Sequence, residues 1–186
     1  LSGLLEGQGI DSAALVAESY GGLMALCLAV HSPDKVRALA LASPIGLRPL
    51  HGKTILLSRL SERFPLPVIS RYATDHFLGE GLLQDTVRAG RLGTLLTRTH
   101  NAWPGYPAFS RQHLASVSMP SLVFLATEDH MLGKVDYAQR VVRRIPDLRL
   151  RILESGHLVS LEKHEEVREQ VLEFLGRVYP PGRQGL

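Results

Sequence analysis

An α/β fold, a parallel sheet flanked by helices, follows from three features of the sequence. Ala13 to Ala17 (AALVA) is a short apolar run with no alternation, which suits a strand buried on both faces. Val36 to Ala42 (VRALALA) and Leu122 to Ala126 (LVFLA) are further buried-strand candidates. Helical patterns stand between and after these runs.

Taken in order, Leu1 to Glu6 reads as the end of a helix, with Gly7 and Gly9 as stops. After the first strand, Gly21 to His31 reads as a helix in which Gly22, Ala25 and Ala29 form a small-residue face able to lie close on a sheet. Ser32-Pro33 ends it. From Ser43 to Met119 prolines recur and apolar residues fall in short helical patches, so this stretch reads as a mostly helical insertion. Tyr137 to Ile145 is a helix stopped before Pro146. Leu148 to Leu153 (LRLRIL) alternates and reads as a strand exposed on one face, towards an edge. The last helix, His164 to Tyr179, carries a buried stripe of Val167, Val171, Phe174, Leu175 and Val178, with Glu165 and Glu166 in its first turn. The organisation expected is a partial core from residues 1–44 and 119–179, an insertion over 45–118 and a tail over 180–186.

The 186 residues suffice for one domain with a real core. The net charge is +3, and the densest basic cluster holds Arg140, Arg143, Arg144, Arg149 and Arg151. No aromatics interleave with it, so it reads as a solvated helix face and strand edge, and no nucleic-acid partner is expected. Cys27, the single cysteine, excludes an intrachain disulfide, and no spacing suggests zinc. Its apolar surroundings make it a packing residue. No signal peptide or membrane-length apolar run is present, so a cytoplasmic location is expected.

Nucleophilic acyl transfer needs a nucleophile within reach of a base, a partner that fixes the base, and N–H donors for the oxyanion. In a parallel sheet such groups meet at the carboxyl ends of strands. After the first strand, AESYGG matches small-x-Ser-x-Gly, with Ser19 as the nucleophile candidate and Ala17 where the pattern prefers glycine. The chain there turns so sharply that the flanking residues must be small. The Tyr20 N–H would face an oxyanion. After the third strand comes TEDH, with Glu128, Asp129 and His130, and after the fourth ESGH, ending in His157. The order Ser, acid, His is that of one recurrent hydrolase arrangement.

On these residues the sequence resembles the C-terminal two-thirds of an α/β-hydrolase. LVAESYGGLMALCLAVHSPDKVRALALASP resembles that family's nucleophile strand, elbow, helix and next strand. MPSLVFLATEDH and RIPDLRLRILESGHLVSLEKHEEVREQVLEFL resemble its acid turn, histidine loop and closing helix. The resemblance implies Ser19 as nucleophile, His157 as general base and then acid, and Asp129 in preference to Glu128 as the orienting carboxylate. It implies a helical cap within residues 45–118, where Trp103, Tyr106 and Phe109 pack the cap on itself or, for Trp103 and Tyr106, line a substrate pocket. His130 is expected in a loop, and His31, His51, His76, His100, His113 and His164 on the surface or cap. The implied reaction is cleavage of a carboxylic ester or related small acyl substrate without a cofactor. Aminopeptidase, thioesterase and carbon–carbon bond hydrolase chemistry belong to the same fold. Ser19 speaks against the dehalogenases and epoxide hydrolases, which carry aspartate at the elbow.

The family's sheet has more strands before the elbow than this sequence supplies, along with a loop that gives a second oxyanion donor. The strand Ala13 to Ala17 is therefore expected to form an apolar edge, paired with a missing N-terminal segment or another chain. This chain alone is expected to be weakly active or inactive while a full-length parent is a serine hydrolase, or else to serve as a non-catalytic hydrolase-like module.

Overall fold

Strands β1 (Ala13–Glu18), β2 (Val36–Ala42), β3 (Ser121–Ala126) and β4 (Leu148–Leu153) form a parallel sheet in the order β1-β2-β3-β4. This is seen in a computed structural model, which describes residues 1–48, 56, 60 and 108–180. The described helices are α1 (Ser2–Gly7), α2 (Tyr20–His31), α3 (Arg111–Ala115), α4 (Val135–Val142), α5 (Val159–Glu162) and α6 (His164–Val178).

Strand periodicity sorts the core into two layers. Leu39, Leu41, Val123 and Leu125 share one face with Leu26, Ala29, Leu114, Val117 and Val142. Their neighbours Ala38, Ala40, Ala42, Leu122 and Phe124 point to the opposite face, where they meet Val159, Val167 and Phe174. Helices thus cover the sheet on both sides, as an unalternating apolar strand requires. The alanines of β2 share this buried cluster with Phe124 and Phe174. Replacing Phe124 by alanine is expected to lower the unfolding free energy by about 3–5 kcal/mol, measured in urea.

β1 lies at the sheet edge among the described strands, as expected of Ala13–Ala17. It is not buried on both faces, however: Val16 is 59 % exposed. An apolar groove of about 220 Å³ runs beside it, lined by Val16, Ala40, Phe124, Val167 and Val171 among others. The Tyr179 hydroxyl accepts the Ala14 N–H at 3.1 Å. β4 lies at the opposite edge, where Arg149 and Arg151 are exposed, as its alternation predicts.

Helix α4 starts two residues earlier than expected and ends three earlier. Its last turn tightens: Arg144 and Ile145 donate their N–H groups to the carbonyls of Val141 and Val142, at 3.2 and 3.0 Å. The residue before a proline is disfavoured in the α conformation, so Ile145 closes the turn instead of extending the helix.

Most of the segment 45–118, with Trp103 and Tyr106, and nearly all of the tail over 180–186 lie outside the described residues. Where the segment is described, Ile45, Leu47, Leu114 and Val117 are buried with the core. Phe109 packs against the same core and donates its N–H to the Gly46 carbonyl at 2.7 Å. His113 closes a capping box with Ser110 at the start of α3.

Candidate active site

Ser19 occupies the turn from β1 into α2 with φ 53° and ψ −116°. This positive-φ conformation costs a residue with a side chain about 1–3 kcal/mol, so its surroundings must hold it. The Ser19 N–H donates to the Ala42 carbonyl at 2.9 Å, and the Ser19 carbonyl accepts the N–H of Leu23 at 3.3 Å and of Ile45 at 3.1 Å. β2 and the segment after it therefore clamp the turn.

Close packing explains the glycine at position 22. A Cβ on Gly22 would come 2.7 Å from the Pro44 Cβ and 2.9 Å from its Cα. A Cβ on Gly21 would sit 3.4 Å from the Ala17 Cβ. That is an ordinary contact, so packing restricts position 22 and leaves alanine room at position 17. Serine-to-glycine and serine-to-alanine replacements at position 19 both remove the hydroxyl, but only glycine relieves the backbone. Ser19→Gly is expected to be more stable than Ser19→Ala by about 1 kcal/mol or more, measured by thermal unfolding.

Asp129 lies in the turn after β3 and is 3 % exposed, whereas Glu128 and His130 beside it are exposed. Its Oδ1 accepts the N–H groups of Met131 and Leu132 at 3.0 and 2.9 Å. Its Oδ2 lies 2.8 Å from Nδ1 of His157, itself 2 % exposed, and Nε2 of that ring lies 2.7 Å from the Ser19 Oγ. An ionised carboxylate only accepts hydrogen bonds, so the neutral ring carries its proton on Nδ1 and Nε2 accepts from the Ser19 hydroxyl. Burial pushes the Asp129 carboxyl up, but the hydrogen bond and charge of His157 and the Leu132 N–H outweigh it and hold the carboxyl below its ordinary value. The nearby Ser43 hydroxyl adds to this lowering, although it makes no hydrogen bond of full geometry.

The remaining site candidates are placed more simply. Tyr20 opens α2 directly after Ser19 and is 46 % exposed. Cys27 is partly buried against Leu23, Ile45 and Met131, and burial pushes its thiol up, away from the reactive thiolate. Among the described residues no three His, Cys, Asp or Glu side chains cluster to hold a metal ion, and no helix is long and apolar enough to cross a membrane.

Motif reading passed over two contacts. The Glu18 carboxylate takes both the N–H and the hydroxyl of Ser160, and the Glu162 carboxylate takes the N–H of Gly156. No motif signals the first, because its partners are 142 positions apart.

A family model described as "Alpha/beta hydrolase family" matches residues 1–170. The chain belongs to the alpha/beta hydrolase family. This alpha/beta hydrolase family member is 32 % identical over 181 residues to part of the polyketide synthase ThaQ of Burkholderia thailandensis, a match covering 90 % of this chain and 9 % of that protein. It is 23 % identical over 197 residues to a 2-hydroxy-6-oxo-6-phenylhexa-2,4-dienoate hydrolase of Burkholderia cepacia, covering 94 % of this chain and 66 % of that one. Among solved structures, the carboxylesterase CesB (YbfK) of Bacillus subtilis superposes with a TM-score of 0.78 at 22 % identity, covering 92 % of this chain and 62 % of that one. The parallel sheet flanked by helices is the fold they share. The chain thus spans less than two-thirds of the length of these relatives.

Proposed function

We propose that the chain carries the catalytic centre of a serine hydrolase acting on a carboxylic ester or related acyl compound. The observation that carries this reading is the continuous hydrogen-bonded series Ser19 Oγ, His157 Nε2, His157 Nδ1, Asp129 Oδ2, with links of 2.7 and 2.8 Å. In the proposed reaction the Ser19 oxygen attacks the acyl carbon and its proton passes to His157 Nε2. Asp129 holds the ring in the accepting tautomer and stabilises the imidazolium. The Tyr20 N–H is assigned to the developing oxyanion by its place directly after Ser19. His157 then protonates the leaving oxygen, which departs and leaves an acyl-enzyme. Water gives a proton to His157, attacks the acyl carbon, and the acid is released as Ser19 recovers its proton.

The test is covalent labelling with a fluorophosphonate probe, beside turnover of short-chain esters and thioesters. Labelling of wild type but not of Ser19→Ala supports the reading; absence of labelling in both overturns it. The likeness to a dienoate hydrolase favours a second reading with the same residues, hydrolysis of a carbon–carbon bond next to a carbonyl. Turnover of a 2-hydroxy-6-oxo-dienoate but not of esters would select it.

Residues 45–118 are assigned in this proposal to a cap, and Trp103 and Tyr106 to its substrate-facing part. Trp103→Ala is expected to change the preference among acyl chain lengths while leaving the melting temperature nearly unchanged. Unaltered selectivity would count against that assignment.

A further inference from the structure

Ser19 and His157 belong to strand ends that are not neighbours: β1 lies at one edge of the described sheet, and the His157 loop follows β4 at the other. The loop is tied first to the acid turn. The N–H of Thr127 donates to the Leu153 carbonyl at 3.0 Å, and that of Glu128 to the Ser155 carbonyl at 3.1 Å. A second tie is internal, from the Gly156 N–H to Glu162 Oε2 at 2.9 Å. Neither of these reaches the strand that carries Ser19.

Glu18 does. It is the last residue of β1, directly before Ser19, and its backbone is held in register with Ala42 of β2. Its Oε1 accepts the Ser160 N–H at 3.0 Å and its Oε2 the Ser160 hydroxyl at 2.6 Å. Ser160 lies three residues beyond His157, in α5. Both oxygens of one carboxylate thus grip one residue, and hydrogen bonds to an ionised group are shorter and stronger than neutral ones. From this we infer that Glu18 is a positioning residue: it fixes the distance between the Ser19 oxygen and His157 Nε2 by clamping the histidine loop to the nucleophile strand. The inference rests on the serine-hydrolase reading for its catalytic consequence, though the clamp itself does not.

The full 186-residue chain and its variants Glu18→Ala, Glu18→Gln and Ser160→Ala provide the test. Three quantities are measured: the rate constant for fluorophosphonate labelling, hydrogen exchange at the amides of residues 156–160, and the melting temperature. A misplacement of about 1 Å costs on the order of 10²-fold in rate, so Glu18→Ala is expected to label about 100-fold more slowly, with lost protection at the Ser160 amide. Ser160→Ala keeps the backbone hydrogen bond and is expected to lose less. Glu18→Gln retains an oxygen acceptor for the Ser160 N–H and is expected to recover part of the rate. Labelling of Glu18→Ala at the wild-type rate overturns the inference. So does a loss that tracks the unfolded fraction and is not recovered by glutamine. If the wild-type chain takes no label, the hydrolase reading falls and exchange decides the clamp: lost Ser160 protection in Glu18→Ala supports it, and unchanged protection overturns it.

Discussion

Ser19→Ala is expected to abolish fluorophosphonate labelling and to lower acyl turnover relative to the wild-type chain by about 10⁶-fold, the scale seen when the nucleophile of a serine–histidine–aspartate centre is removed. Among the described residues the Ser43 hydroxyl is buried just after β2, and His157 Nε2, the proposed base, points at the Ser19 oxygen. The variant keeps the strained backbone of the turn, because that strain is held by hydrogen bonds to Ala42, Leu23 and Ile45 and not by the hydroxyl. It loses one hydrogen bond to His157, a net stability change of about 1 kcal/mol. A large kinetic loss with a small thermal shift is therefore the signature, read from labelling kinetics and calorimetry on one preparation. Wild-type activity persisting in Ser19→Ala would remove Ser19 from the reaction.

Asp129→Asn is expected to lower turnover by about 10⁴-fold without unfolding the chain. The new amide is isosteric, and its oxygen can still accept the N–H groups of Met131 and Leu132. Its nitrogen then faces His157 Nδ1 and donates to it. The ring proton moves to Nε2, which can no longer accept the proton of Ser19. The same variant tests the electrostatics. Because the Asp129 carboxyl is held below its ordinary value in the folded chain, it contributes stability that is present above about pH 4 and lost as the pH falls through the folded value. The difference in unfolding free energy between wild type and Asp129→Asn is expected to narrow as the pH drops below about 4. A constant difference down to acid pH would contradict the ionised, hydrogen-bonded carboxylate.

Much of the scaffold was legible because it is written in local periodicity. The apolar runs at Val36–Ala42 and Leu122–Ala126 became adjacent parallel strands, and the Gly22, Ala25 and Ala29 face of α2 is buried. The stripe from Val167 to Val178 packs as expected, with Val167 and Phe174 buried and Val171, Leu175 and Val178 partly so. For β1 the sequence predicts the edge but not the exposure of Val16, because apolar composition reports what a strand could bury and not what stands beside it. Helix α4 ends three residues short of Ile145, since hydrophobic spacing does not register the tight turn enforced before Pro146.

Local pattern alone singled out Ser19, the TEDH turn and His157, because a sharp turn leaves a signature in residue size and strand ends leave one in residue order. Tertiary structure decided what adjacent residues do. Glu128 and Asp129 are equal in charge, and only the direction of the turn buries one beside His157 and exposes the other. Likewise Glu18 reads in sequence as a polar residue ending a strand; its grip on Ser160 arises only when chain segments 142 residues apart are brought together. Side-chain type is carried by the sequence at each position, but side-chain direction and long-range pairing are set by strand register and turn geometry, which exist only in the folded chain.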